Sequence, residues 1–190
     1  NEDPPVFNFS AILEDAFLAR LNLLERDQTS RLSTSMEFNF SGSSLDNLQG
    51  QIVLMDTWYY ESGQDITMDN FELLAHPMDN GNRMLTLRSD YLDADFKGDF
   101  NYSQIYPAFQ SILRYYLPSL DTDDEMTDDD IPDQSFTSVI TLKNTQPISN
   151  LFMPDIVVTS GARIEGSFAS REGIAEFRAS APEVSLFGTT

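Results

Sequence analysis

A chain of 190 residues with 41% hydrophobic content can build one sizeable β-rich domain, or two small ones, around a real core, which excludes a disordered chain. The formal net charge of -20, from 31 acidic and 11 basic residues, argues against nucleic acid and against adsorption to an anionic membrane surface, since both would be repelled. Any lipid contact must therefore run through acyl chains, and the absence of cysteine removes disulfides and Cys-ligated metal while fitting an envelope or extracytoplasmic protein.

Asn1-Glu2-Asp3-Pro4-Pro5 lacks the basic and apolar regions of a signal peptide, and no apolar run approaches the roughly 20 residues of a spanning helix. The chain reads as a mature form or an excised piece of a longer one, with any anchor outside it. Phe7 and Phe9 then alternate with Asn8 and Ser10. Phe17, Ala19, Leu21 and Leu23 alternate with Leu18, Arg20 and Asn22, but Phe17, Leu18, Leu21 and Leu24 also fit a helix. Over 11–24 two strands joined near Glu14-Asp15 are the better reading, with one helix as the competitor.

From Arg31, Met36, Phe38 and Phe40 face one way and Ser35, Glu37 and Asn39 the other, ending at Ser41-Gly42-Ser43-Ser44. A strand at about 50–60 sets Ile52 and Leu54 against Val53 and Met55 and runs through Trp58-Tyr59-Tyr60 to the breaker Glu61-Ser62-Gly63-Gln64-Asp65. Strands at 66–75 and 83–89 flank a turn-rich loop that begins at His76-Pro77. The clearest alternation is 92–100, with Leu92, Ala94, Phe96, Gly98 and Phe100 on a dry side and Asp93, Asp95, Lys97 and Asp99 on a wet one. Spacing this short predicts an antiparallel meander, since parallel strands need long crossovers.

Ile105, Phe109, Ile112, Leu113, Tyr116 and Leu117 form a helical stripe over 103–118, with Ser103 near its start and Pro118 at its end. Such a helix needs a dry surface to lie on, and the apolar face of the sheet is the candidate. Seven acids between Asp121 and Asp130 predict a self-repelling, mobile loop over 119–135. Strands resume at Phe136–Lys143, Ala162–Phe168, Ile174–Ala179 and Glu183–Phe187.

Chemistry-bearing motifs are weak. Asp121, Asp123, Glu125, Thr127 and Asp129 alternate as in a calcium loop, yet Met126 stands where glycine is needed and Pro132 where a bidentate glutamate is needed, so no metal site is assigned. His76, the only histidine, reads as a surface-loop residue, and no serine sits in a Gly-x-Ser-x-Gly elbow. No catalytic residue, metal or cofactor is assigned, and the chain reads as non-enzymatic. Trp58, Tyr59 and Tyr60 must point to both faces of their strand, so they read as core plus one surface aromatic before they read as a ligand platform.

A single sheet with one helix can close on itself, pack on a second sheet, or leave a hydrophobic trough. Here the string of residues adds something. Phe38-Asn39-Phe40-Ser41-Gly42, Leu45-Asp46-Asn47-Leu48-Gln49-Gly50-Gln51-Ile52, and Leu85-Thr86-Leu87-Arg88-Ser89-Asp90-Tyr91-Leu92 with the alternation to Phe100 resemble the periplasmic part of the TamB proteins of the AsmA-like envelope family, Bacteroidetes members above all. The resemblance covers about 31–118 best and 136–187 more loosely; the acidic run 121–130 and the lack of an anchor depart from it.

That resemblance implies a fragment of a tapering, taco-shaped β-groove with a dry interior, in a Gram-negative envelope protein anchored in the inner membrane. It implies a part in phospholipid transport between the two membranes, in outer-membrane protein assembly with a barrel partner, or in both. The fold expected is thus a mainly β antiparallel meander, curved or partly closed, with one amphipathic helix on its apolar face. The lining expected is Met36, Phe38, Phe40, Ile52, Leu54, Leu85, Leu87, Leu92, Phe96 and Phe100, with Phe109, Ile112 and Leu113 plugging or gating it. The alternative is a secreted β-sandwich that binds a glycan or a protein.

Overall fold

A computed structural model describes residues 4–20, 29–78, 81–105, 133–144, 146–147, 156–158, 160–169, 171–172, 174–182 and 184–186, the two three-residue strands by backbone alone. The strands are β1 (Val6–Phe17), β2 (Arg31–Ser41), β3 (Gln49–Glu61), β4 (Gln64–Pro77), β5 (Arg83–Ser89), β6 (Leu92–Asp99), β7 (Ser135–Leu142), β8 (Ile156–Val158), β9 (Arg163–Ala169), β10 (Ile174–Ser180) and β11 (Val184–Leu186). Nine of them form one antiparallel sheet in the order β1-β2-β3-β4-β5-β6-β7-β9-β10, and β11 pairs with β8 in a separate two-stranded sheet. The large sheet is an open meander: β1 and β10 end it and do not pair with each other. Among the described residues no helix is long and apolar enough to cross a membrane.

Short connections make the meander. Ser62 (φ 52°) and Gly63 (φ 83°) close the β3–β4 hairpin between the paired Glu61 and Gln64, both in the positive-φ region that a two-residue turn matched to the strand twist requires.

The reading of 11–24 is corrected. One strand, β1, runs straight through Glu14-Asp15, and the chain turns at Leu18-Ala19-Arg20, with 21–24 outside the described residues. Asp15 does not join two strands; it forms a bulge between Leu13 and Ala16, at φ 49°. Its amide donates to Ser33 Oγ at 2.9 Å and its carboxylate accepts from Arg31 at 3.3 Å. A second bulge crosses the β2–β3 pair at the same level, where Asp56 takes φ 50°. Aspartate suits both places because its short polar side chain tolerates the left-handed region. Between the two bulges Thr34 is buried, its hydroxyl 2.8 Å from that of Thr57.

Asp90 continues this line of irregularities. Its carboxylate accepts from the backbone amides of Asp69 (2.6 Å) and Asn70 (3.0 Å), tying the β5–β6 turn to β4. The amide of Asn70, ahead of that of Asp69, holds the Asp90 carboxyl below its ordinary 3.8. The folded state therefore binds this proton less readily than the unfolded chain, so the stabilisation is complete above pH 3.8 and disappears as pH falls from there through the lower folded value. The group faces solvent, so its share is below about 1 kcal/mol. Thermal unfolding followed by circular dichroism from pH 5 to 2 is expected to lose part of its acid sensitivity in Asp90→Asn, and an unchanged acid limb would remove Asp90 from the account.

Two glycines let strands come close. Gly50 (φ 144°) in β3 and Gly98 (φ 149°) in β6 adopt backbone conformations that side-chain-bearing residues rarely enter. A Cβ on Gly98 would stand 2.1 Å from the Ser135 carbonyl oxygen, and one on Gly50 would stand 2.0 Å from that of Asn39.

The largest fully buried side chain among the described residues is Phe100, just past β6. It meets Phe136 edge-on at 5.8 Å and Tyr102 at 5.6 Å, and Phe136 continues the cluster to Phe96 at 6.2 Å and Phe168 at 5.4 Å. The Phe100 carbonyl accepts from the Arg83 guanidinium.

Of the helix expected over 103–118, only its first residues are described. Tyr102–Gln104 is a 3-10 turn with Asn101 at its N-cap, and Ser103 donates through both N–H and Oγ to the Asp46 carboxylate at 2.9 Å instead of capping a helix. Phe109, Ile112 and Leu113, the rest of that stripe, and the acidic run Asp121–Asp130 lie outside the described residues. The loop expected to end at 135 gives way sooner, because β7 begins at Ser135. His76 is corrected as well: it is half-buried within β4, opposite Met84, and not in a loop.

Candidate functional site

Directly opposed residues of antiparallel strands project to the same face, so the pairing register sorts the sheet into two faces. One row crosses all nine strands as Phe9, Phe38, Ile52, Leu73, Leu87, Ala94, Ile140, Ile164 and Ala179, without a polar side chain. The next row on that face is Phe7, Phe40, Gly50, Ala75, Leu85, Phe96, Ser138, Gly166 and Phe177. On the other side of the first run Ala11, Met36, Leu54 and Phe71, and farther along Leu92 opposite Leu142. Eight strand spacings of about 4.8 Å make this apolar face about 38 Å wide.

The reverse face reads Asn8, Asn39, Gln51, Leu74, Thr86, Asp95, Val139, Glu165 and Arg178 in one row, and Ser10, Glu37, Val53, Glu72, Arg88, Asp93, Thr141, Arg163 and Ser180 in the next. Its charges pair across and along the strands. Arg88 reaches Asp95 at 2.8 Å, Lys143 reaches Asp93 at 2.6 Å, Arg163 reaches Glu165 at 2.9 Å, and Gln51 donates to Glu72 at 3.0 Å. Half-exposed pairs of this kind contribute little to stability individually, and they hold this face wet. Arg88, Asp93, Asp95 and Arg163, which line a shallow depression there together with Lys97, each have a partner of the opposite sign.

Nine of the expected lining residues thus lie on one face: Met36, Phe38, Phe40, Ile52, Leu54, Leu85, Leu87, Leu92 and Phe96, each half-buried. Phe100 stands apart from them, sealed at 1% exposure inside the Phe136 cluster, where it offers no surface to a ligand. Phe7, Phe9, Leu73, Ile140 and Ile164 share the face and were not among those expected. Alternation in β1 held the signal for the two phenylalanines, whereas the Leu73-Leu74 doublet hid which leucine of β4 points to the dry side.

Packing on the face is largely aromatic. Phe9 stacks on Phe38 at 4.5 Å with ring planes 10° apart, and Phe38 meets Phe40 at 6.3 Å. At the far end the Phe177 ring lies over Gly166, whose missing Cβ would fall 2.4 Å from the ring. An aromatic ring laid across a strand glycine restores the apolar cover that the glycine lacks.

The Trp58-Tyr59-Tyr60 run divides between the faces. Tyr59 lies in an apolar row with Leu32 and Ile66, while Trp58 and Tyr60 stack on the reverse face at 6.2 Å, and Trp58 Nε1 donates to Asp65 at 3.0 Å. All three are half-buried. Among the described residues no three of His, Cys, Asp and Glu come together in a way that could hold a metal ion. Tyr91 and Tyr102 have phenols raised above 10.0 by burial, and the Tyr91 hydroxyl donates to the Thr67 carbonyl as a structural strut.

No protein-family model, curated protein or solved structure matches the chain.

Proposed function

We propose that the apolar face of the nine-stranded sheet is a non-catalytic trough for lipid acyl chains, and that the chain is a segment of a cell-envelope protein that carries phospholipid between membranes. The observation that supports this reading is the row from Phe9 to Ala179, nine residues across nine strands with no polar side chain, on a sheet whose ends do not meet. A buried methylene gains about 0.8 kcal/mol on leaving water, so a row of this length offers an acyl chain a continuous dry path. The net charge of -20 directs the site toward zwitterionic or neutral head groups, which can stay in water at the sheet's rim. Curvature into a groove, a periplasmic location, an inner-membrane anchor and a barrel partner in outer-membrane protein assembly belong to the same proposal and rest on the resemblance to the TamB proteins alone.

The test is native mass spectrometry and organic extraction of the chain purified from a Gram-negative host. Wild type is expected to carry phospholipid or fatty acid. Phe38→Asp and Phe96→Asp are expected to lose it while keeping their strand signal in circular dichroism, and Asn39→Asp, on the reverse face, is expected to keep it. A lipid-free wild type, with Phe38→Asp and Phe96→Asp both unfolded, would mark the face as an interior and favour a β-sandwich binding module.

A further inference from the structure

We infer that β1 is a self-pairing edge, through which two copies of the chain join their sheets about a twofold axis at Phe9. The backbone supplies the first part of the argument. Gly42 donates its amide to the Pro5 carbonyl at 3.1 Å, and pairing then runs without a bulge from Val6↔Ser41 to Leu13↔Thr34. Strict alternation from that bond turns the amides and carbonyls of Phe7, Phe9, Ala11 and Leu13 toward β2, and those of Val6, Asn8, Ser10 and Ile12 outward. Among the described residues no strand pairs with that outer side.

Composition supplies the second part. Soluble proteins guard long edge strands with lysine, proline, inward charge or a bulge. Val6 to Leu13 contains none of these and no charge at all, in a chain of net charge -20. Two of its side chains, Val6 and Ile12, are apolar residues on the mostly polar reverse face, 67% and 74% exposed.

One register answers every one of these features. Outward-facing groups must meet outward-facing groups, and the centred antiparallel arrangement places Val6 opposite Ile12 of the second copy and Asn8 opposite Ser10, leaving Phe9 opposite its own counterpart. The two isolated apolar side chains then cover each other, the two short polar ones meet, and about eight backbone hydrogen bonds form. No acidic residue of β1 meets another within this stretch, so the large like charge of the two copies does not oppose contact there. A twofold axis perpendicular to the sheet keeps the dry faces on one side, and the Phe9–Phe38 stack continues into that of the partner. The charges of β1, Glu14 and Asp15, lie beyond this stretch, whereas β10, the other end of the sheet, carries Glu176 and Arg178 in the middle of its seven residues.

Sedimentation equilibrium of the 190-residue chain is expected to give the mass of two copies. Ser10→Pro removes an amide that β2 does not use and projects a ring at the joint, so it is expected to give single copies with an unchanged strand signal. Because the chain has no cysteine, Phe9→Cys introduces one thiol; opposed residues in that kind of pair approach to about 4.5 Å between Cα atoms, which a disulfide spans. Mild oxidation is expected to convert Phe9→Cys to a covalent dimer and to leave Phe177→Cys, on β10, uncrosslinked. Single copies at all concentrations, a dimer indifferent to Ser10→Pro, or crosslinking at Phe177 would each overturn the inference. If Ser10→Pro fails to fold, crosslinking of Phe9→Cys decides alone.

Discussion

Gly98→Val is expected to abolish the folded sheet, with the cooperative thermal transition of the wild type missing from circular dichroism at any accessible temperature. Two costs combine. The φ of 149° is strained for any residue with a Cβ, at about 1–3 kcal/mol, and a β-branched side chain sits at the top of that range. The new Cβ would also fall 2.1 Å from Ser135 O and 2.6 Å from Phe136 Cα, both backbone atoms that cannot rotate away. Relief requires β7 to move off β6, which opens the cluster of Phe96, Phe136 and Phe168 around the fully buried Phe100. Overpacking adds about 1–3 kcal/mol, and the total of roughly 5 kcal/mol is comparable to the whole stability of many domains. Gly63→Val is the control: a Cβ there meets no atom within 4 Å, so only the turn strain remains and a shifted but cooperative transition is expected. A Gly98→Val chain that melts like wild type would show that β6 and β7 are farther apart than described.

The dry face was legible because alternation and register carry the same information. Where one strand has a clean period of two, as in Met36-Glu37-Phe38-Asn39-Phe40 or Leu92 to Asp99, its dry residues are known before its neighbours are, and antiparallel pairing only lines them up. Bulges break this inference. Asp15 and Asp56 each take a left-handed conformation that shifts the phase by one residue, so the joint expected at Glu14-Asp15 was the right place with the wrong meaning. β8 was missed altogether, since three residues are too few to show a period. Gly98 counted as one small residue on the apolar side; that the neighbouring backbone occupies the space above it is a property of the pair β6–β7 and is written in neither strand alone. Closure of the sheet is likewise absent from any single strand, because sandwiches, barrels and open sheets share one alternation.

An open apolar face and a sandwich core differ in one quantity that needs no variant, the dependence of affinity on acyl chain length. A closed core admits no chain, so a fluorescent fatty-acid displacement assay would give no length dependence. On an open face each added methylene is desolvated on the side that touches the row and stays wet on the other, which halves the full gain of about 0.8 kcal/mol. Four added methylenes then contribute about 1.6 kcal/mol, roughly a 15-fold gain in affinity from a 12-carbon to a 16-carbon chain. Were the sheet to curl around the chain and cover both sides, the gain would approach 3.2 kcal/mol, or about 200-fold. The slope therefore measures how far the trough encloses its ligand, and Ile52→Asp, in the centre of the row from Phe9 to Ala179, is expected to flatten it by breaking the dry path. Affinity that follows the head group and ignores chain length would place the ligand on the charged reverse face and end the acyl-chain reading.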